Sequence, residues 1–570
     1  MIPLAVWAPS AARVEVEAGG ARHAMTRAER GWWRSTLDAR VDYAFSVDGG
    51  PARPDPRSPW QPHGVHGPSR PVDHGAFRWT DAGWSAPPLA SAVIYEMHPG
   101  TFSPEGTFDG AIARLDALVD LGVTHVEVMP VAEFAGARGW GYDGVALFAP
   151  KHSYGGPDGL KRLVDACHAR GLAAILDVVY NHLGPAGNYL GEFAPYFNDR
   201  YGTPWGQAIN LDSAGADEVK RFLCDNALAW LRDYHFDGLR LDAVHALFDQ
   251  SAVHFLEQLG EEVRALSAAS GRALAVIAES DLNDPRLVRP LRAGGYGLDA
   301  QWSDDYHHAL HAAVTGERNG YYDGFGPLGL VAKALTEGYV FDGQYSPSRG
   351  RSHGRPLGDV PGHRLVSYVQ NHDQVGNRAK GERWSHLVPP PAVFAAAALT
   401  LAAPFVPMLF QGEEWAASTP FPFFTDHEPE LGRLVTEGRR KEFAAFGWDP
   451  EAVPDPQAAA TFESARLRWD ERGRDPHRAV LDWHRRLVRL RRETPALADG
   501  DRARVRVAFD ESGRWVRMDR GPVTVACNFG TAAARVPLLG AGAVALASCR
   551  HRLDGEALEM DPGAVVLSRA

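Results

Sequence analysis

Leu172-Ala173-Ala174-Ile175-Leu176-Asp177-Val178-Val179-Tyr180-Asn181-His182 runs apolar for almost its whole length and then turns abruptly polar. A strand with one wet face alternates apolar and polar residues. A strand covered on both faces, as in a parallel sheet wrapped by helices, reads as a continuous apolar run. Seven more runs have this character: Ala92–Met97, His125–Val131, Gly238–Ala243, Ala273–Glu279, Leu298–Ser303, Leu365–Gln370 and Phe405–Phe410. Amphipathic stretches such as Phe108–Leu121 and Asp217–Tyr234 lie between them. Eight strand–helix units in roughly 400 residues predict an α/β chain, a (β/α)8 TIM barrel enlarged by loop insertions, over residues 86–498. The rhythm changes on either side. Leu4–Trp7, Arg13–Glu17, Gly31–Thr36 and Tyr43–Val47 are short runs parted by turn residues, which predicts an N-terminal β-domain over 1–85. The tail, with Pro522–Asn528 its clearest strand, predicts a C-terminal antiparallel β-domain over 499–570.

Composition narrows the partners. Of 570 residues, 45% are hydrophobic and 23% charged, ordinary values that exclude disorder and coiled coil. The formal net charge of −12 lacks the basic footprint of a nucleic-acid binder and would be repelled by an anionic membrane. Leu387–Phe410 holds 24 residues without a charge, long enough to span a bilayer. Prolines at 389–391, 404 and 407 break it, so the expectation is a buried Ala-rich helix followed by a buried strand. Four cysteines without a CxxC pair, and a start without a charged and apolar leader, point to a reducing, cytoplasmic setting. Monomer and dimer both stay open.

In a barrel of this kind the active site gathers where the strands end. The third run ends in Asp177-Val178-Val179-Tyr180-Asn181-His182, and the fourth carries Arg240, Asp242 and, just beyond, His245. The fifth ends in Glu279-Ser280-Asp281 and the seventh in Gln370-Asn371-His372-Asp373-Gln374. Three carboxylates, Asp242, Glu279 and Asp373, thus meet histidines and an arginine at neighbouring strand mouths. Retaining glycoside hydrolysis needs such a set: an ionised carboxylate to attack the anomeric carbon and a protonated one to supply the leaving oxygen. Arg240, two residues before Asp242, shares its strand face and keeps it ionised. Burial beside another carboxylate keeps an acid protonated. Loop aromatics, including Tyr142 within Trp140-Gly141-Tyr142-Asp143 and Trp205, offer surfaces for sugar rings. Gly139-Trp140-Gly141-Tyr142-Asp143-Gly144 satisfies G-x-G-x-x-G, but its bulky aromatics and the absence of a following helix argue against a dinucleotide. No HExxH, Walker loop or GxSxG is present. His98 and His168 are expected to be structural, and neither a metal nor another cofactor follows from any spacing.

These four segments resemble the four signature regions of the α-amylase superfamily of glycoside hydrolases. The resemblance implies that Asp242 is the nucleophile, Glu279 the general acid/base and Asp373 the transition-state stabiliser. Tyr142, His182, Arg240 and His372 would then shape the subsite of the attacked sugar. Further stretches are similar to one family in it, the maltooligosyltrehalose trehalohydrolases: Asp55-Pro56-Arg57-Ser58 through Gly64-Val65-His66-Gly67-Pro68-Ser69, Val93-Ile94-Tyr95-Glu96, Pro204-Trp205-Gly206, Glu279-Ser280-Asp281-Leu282-Asn283 and Gln370 through Arg378. Pro99 departs from that pattern, outside the catalytic set. The implied N-terminal domain is an immunoglobulin-like β-sandwich of carbohydrate-binding type. The implied reaction cuts the α-1,4 bond next to the trehalose that caps a maltooligosaccharide, with maltooligosyltrehalose and related α-glucans as partners. Trehalose would be selected on the leaving-group side, by His245, Asp281 and Trp205, with Ser280, Asp323 and Glu413-Glu414-Trp415 as further candidates. Asn181 resembles a calcium-associated position of some amylases, without the Asp-rich loop such a site would use. A glycogen branching or debranching enzyme is the alternative within the superfamily, and a non-catalytic carbohydrate-binding homologue the alternative outside catalysis.

Overall fold

All eight apolar runs become strands of one closed parallel barrel in the computed structural model, which describes residues 2–37, 41–445, 453–539, 542–554 and 556–569. In chain order they are β1 (Ile94–Met97), β2 (His125–Val128), β3 (Ala173–Val178), β4 (Gly238–Leu241), β5 (Ala275–Ala278), β6 (Ala300–Trp302), β7 (Leu365–Ser367) and β8 (Val406–Phe410). Each pairs with its sequence neighbours, and β8 closes the ring on β1 through Met408 opposite Ile94 and Phe410 opposite Glu96. Ile94, Ile175, Ile277, Trp302, Val366 and Met408, from six strands, pack together as an apolar plug inside the barrel. Side chains two residues on point the same way, one layer nearer the strand ends. That rule carries Glu96 above Ile94 and Asp177 above Ile175. The register sets Arg240 beside Asp177. The charged floor of the site therefore follows directly from the strand period.

Phe108–Leu121, read as one amphipathic stretch, holds two helices: Phe108–Ile112 and Leu115–Leu121. A turn at Ala113 and Arg114 parts them, and Arg114 lays its guanidinium 5.2 Å from the Trp469 ring. Tertiary packing overrides the local periodicity here. The expected Ala-rich helix and strand in Leu387–Phe410 are observed as Pro390–Ala402 and β8. Arg491 donates to the carbonyls of Leu401, Ala403 and Phe405, satisfying the end of that buried helix. No helix among the described residues is long and apolar enough to cross a membrane.

Two small antiparallel sheets precede the barrel. One joins Ile2–Trp7, Trp32–Leu37 and Thr26–Arg27; the other joins Ala21–Ala24, Val14–Ala18 and Tyr43–Val47. Their inner residues, among them Val6, Val16, Trp33 and Phe45, are buried. Trp32 donates to Glu218, and Arg57 pairs with Asp225 at 2.8 Å, so both seat this module on the barrel helix Ala216–Asp233. After the barrel come a five-stranded antiparallel sheet, which includes Val523–Asn528, and a three-stranded one.

Candidate active site

Arg240 is the centre of the strand-mouth cluster. Its side chain is fully buried, with the guanidinium 4.1 Å from the Trp302 ring. One of its nitrogens, Nη1, donates to both oxygens of Asp177 (2.8 and 2.7 Å) and to Asp242 Oδ1 (3.0 Å). Nη2 stands 3.6 Å from Glu279 Oε2. One guanidinium therefore gathers carboxylates from β3 and from the ends of β4 and β5. Burial alone would weaken its charge, but Asp177, Tyr142, Asp242 and Glu279 outweigh that and keep it firmly cationic.

Asp242 is oriented from two sides. Arg240 holds Oδ1, while the Asn181 amide donates to Oδ2 at 2.7 Å and to the Asp242 carbonyl at 2.8 Å. Asn181 therefore aims a carboxylate, which is a sufficient reason for an amide at the end of β3. Its own oxygen contacts His182 Nδ1. Ala243, next in the chain, takes a left-handed conformation (φ 39°), uncommon for a residue with a Cβ. Its N–H donates to Glu279 Oε2 at 2.5 Å. Burial pushes the Glu279 carboxyl well above the usual range; Arg240 opposes this, and Asp242, Asp304 and Asp373 reinforce it. A neutral acid beside an ion-paired carboxylate is what the two roles need.

The seventh strand delivers its residues on a single turn of helix. Asn371 caps His372–Gly376, accepting from the N–H groups of Asp373 and Gln374, while Gln374 reaches back to the Asn371 N–H. His372 is thereby turned inward, its Nδ1 2.5 Å from Glu96 Oε1 and its backbone N–H donating to Oε2. Burial alone would lower its pKa, but Asp373 and Glu96 outweigh burial and lift it to about 9. Tyr142 donates to Asp177 at 2.6 Å and lies 2.8 Å from His372 Nε2, its ring stacked on that imidazole. Asp373 is the most open of the three acids, 44% exposed against 13% for Asp242 and 14% for Glu279.

The family is decided by comparison with known chains. The chain is 49% identical over 570 residues to a malto-oligosyltrehalose trehalohydrolase of Rhizobium sp. strain M-11, covering 98% of this chain and 96% of that one. It is 51% identical over 577 residues to the enzyme of the same name from Arthrobacter ramosus, covering 99% and 98%. This chain belongs to the malto-oligosyltrehalose trehalohydrolase family. Family models agree: residues 75–199 match the alpha amylase catalytic domain and 500–567 a domain of unknown function. Among solved structures, a Salmonella typhimurium protein named "Putative alpha Amylase" superposes with a TM-score of 0.92 at 36% identity, covering 100% of this chain and 97% of that one.

On a trehalohydrolase-family chain, the residues expected to select the leaving group divide in two. His245 and Asp281 face each other at 3.9 Å. Arg349, from a loop before β7, pairs with Asp281 at 2.6 Å. Burial would raise the Asp281 pKa, but His245 and Arg349 outweigh burial and hold it below the usual carboxylate range. Asp281 and Arg349 open onto a pocket of about 320 Å³ shared with Asp304, His308 and Tyr321. Trp205 stacks over His182, ring centres 4.9 Å apart, and is 47% exposed. Of the residues expected here, Asp281 is the one that lines this pocket. Ser280 is buried, its hydroxyl accepting the Leu282 N–H. Glu413, Glu414 and Trp415 are also buried; Glu414 accepts from Tyr95 and Glu413 from the Phe410 N–H. Asp323 is exposed, and Tyr321 lines the pocket instead. His98, as expected, is a buried structural residue between Thr101 and the Gly139 carbonyl. His168 likewise bridges Asp81 and Asp237.

Sequence reasoning did not single out Asp177, Glu96, Asp304 or Arg349 as site residues. The first two carried a signal, an acid inside an otherwise apolar strand. Asp304 follows β6, accepts from the Tyr368 hydroxyl at 2.5 Å, and is pushed by burial up to about 7. Among the described residues no group of three or more His, Cys, Asp or Glu side chains is placed to hold a metal ion.

Proposed function

We propose that this protein is a retaining glycoside hydrolase that cuts the α-1,4-glucosidic bond next to the terminal trehalose of maltooligosyltrehalose, releasing trehalose and a maltooligosaccharide. The observation that carries the chemistry is the sharing of Arg240 by Asp242 and Glu279, 3.0 and 3.6 Å from its nitrogens. Two carboxyls that reach one guanidinium stand close together, as a double displacement requires. Asp242 attacks the anomeric carbon as Glu279 protonates the glycosidic oxygen, and trehalose departs. Water then adds to the glycosyl–Asp242 ester, giving its proton to the Glu279 carboxylate, and the Asp242–sugar bond breaks. Asp373 holds hydroxyls of the attacked ring while it flattens, with the stacked Tyr142–His372 pair and His182 lining its pocket. Family membership over nearly the full length favours trehalose as leaving group, and the pocket lined by Asp281 and Arg349 has room for its second ring. Free thiols at all four cysteines support a cytoplasmic setting.

Product analysis tests the substrate. Purified protein given maltopentaose and maltotriosyltrehalose in parallel should release trehalose rapidly from the second and cut the first slowly. Equal rates on both would make it a general α-glucanase and sink the trehalose assignment. Longer branched products would make it a branching enzyme, and loss of α-1,6 branches from a limit dextrin a debrancher.

A further inference from the structure

The acid Glu279, at the end of β5, fixes the direction of the bound chain. The leaving group must lie against it, toward the pocket after β5 and β6. The rest of the glucan then runs the other way, and in the closed order of strands β2 stands opposite β6. Two loops meet there, the one after β2 and the one after β8. They are joined firmly: Asp426 accepts from the Ala137 N–H at 2.7 Å and from Arg138 at 2.5 Å. At Gly136 (φ 75°) a Cβ would stand 2.2 Å from the Asp426 carbonyl oxygen, so the approach tolerates only glycine. The next residue, His427, is pinned by its N–H to Gln457 Oε1 at 2.9 Å.

Among the described residues the His427 ring makes no hydrogen bond, and its one charged neighbour is Asp143. Its side chain is only 7% exposed, yet Nδ1 has no hydrogen-bond partner among the described residues. Nε2 faces Asp143 Oδ2 across 3.7 Å, too far for a hydrogen bond. Asp143 follows Tyr142, a residue of the attacked-sugar pocket, and its carboxylate is 37% exposed. A buried ring and an open carboxylate, within ion-pair distance of each other but not hydrogen-bonded, form a donor–acceptor pair. A sugar hydroxyl both gives and takes a hydrogen bond, so one hydroxyl satisfies both: its O–H donates to Asp143 while its oxygen accepts from the imidazole N–H.

We propose that Asp143 and His427 form a subsite for the glucose unit next to the attacked one, on the side away from trehalose. The role rests on the reaction proposed above for its direction, and it makes both residues determinants of chain-length preference. The loop after β8 thereby contributes to the site although the sequence between Gln411 and Trp469 carries no catalytic motif.

The test compares substrates with one and with three glucose units ahead of trehalose, glucosyltrehalose and maltotriosyltrehalose. The ratio of kcat/KM on the long over the short substrate is measured for wild type, His427→Ala and Asp143→Asn. Either variant should lower that ratio about tenfold, mostly through KM on the long substrate, the scale of one lost hydrogen bond to a charged partner. Circular dichroism checks folding, and the ratio is insensitive to the fraction of active protein. An unchanged ratio in both variants, or equal losses on both substrates, overturns the subsite. Wild type that releases no trehalose refutes the substrate instead; the ratio is then taken on maltotriose and maltopentaose, so the two readings fail separately.

Discussion

Replacing Glu279 by Gln removes its proton chemistry, donation in the first step and acceptance in the second, while keeping its shape. The substitution is nearly isosteric, and an amide oxygen can still accept the Ala243 N–H that meets Oε2 at 2.5 Å. The loop after β4 should therefore keep its strained shape, and the change in stability should stay within about 1 kcal/mol. What is lost is the proton. A positioned general acid is worth about 10²–10⁴-fold, or about 3–5.5 kcal/mol of barrier, when the leaving alkoxide is a sugar hydroxyl. It is worth far less when the leaving group is stable as an anion. Formation of the glycosyl–Asp242 ester from maltotriosyltrehalose should slow by that factor, while the first-turnover burst of fluoride from α-maltosyl fluoride slows less than about tenfold; later turnovers are limited by the second step, which needs Glu279 as base whatever departed. The pH profile gives a second reading. Burial and three carboxylates hold the Glu279 carboxyl above its usual range, so wild-type activity falls as pH rises through that elevated pKa, and the variant should lose this basic limb. Asp242→Asn serves as the contrast, because a nucleophile is required whatever departs; both substrates should collapse together. Equal losses on the two substrates in Glu279→Gln, with the basic limb intact, would refute the acid assignment.

His372 makes stability depend on pH in a defined window. Its folded pKa is lifted from 6.5 to about 9, so the stabilisation is complete below about 6.5 and is lost as pH climbs through 9, by about 3 kcal/mol for a fully buried ring. Urea midpoints from pH 6 to 9.5 should fall accordingly, and fall less in His372→Gln; an identical slope in the variant would remove His372 as the cause. Lys151→Met should destabilise by about 3–5 kcal/mol, since Lys151 is wholly buried and spends its ammonium on Glu133, Phe134 O and Gly136 O. A loss below 1 kcal/mol in equilibrium unfolding would show that the loop after β2 does not depend on that ion pair.

The barrel was legible because burial on both faces leaves its mark residue by residue: each of the eight runs contains its strand. The helix break at Arg114 was not: the ring its guanidinium packs on, Trp469, lies 355 residues away in sequence. The same division runs through the site. Asp242, Glu279 and His372 stand at strand mouths where local sequence announces them. Arg349 becomes relevant only through Asp281, 68 residues earlier, and nothing in Pro347-Ser348-Arg349 marks it. Glu413 and Glu414 erred in the other direction. Acids after β8 look like site residues, but the fold buries them against Tyr95 and the end of its own strand.

The closure of β8 on β1 has a consequence for how the chain is made. Roughly 310 residues separate the two strands, and a ribosome adding about 5–20 residues per second needs about 15–60 s to cover that distance. Throughout that interval Ile94-Tyr95-Glu96-Met97 has one permanent neighbour, β2, and an open edge on the other side. Its Glu96 also awaits His372, 276 positions downstream. The nascent barrel therefore carries an unpaired strand and an uncompensated interior carboxylate until its last quarter emerges. Arrested translation short of residue 406 would leave a sheet primed to pair with the wrong chain.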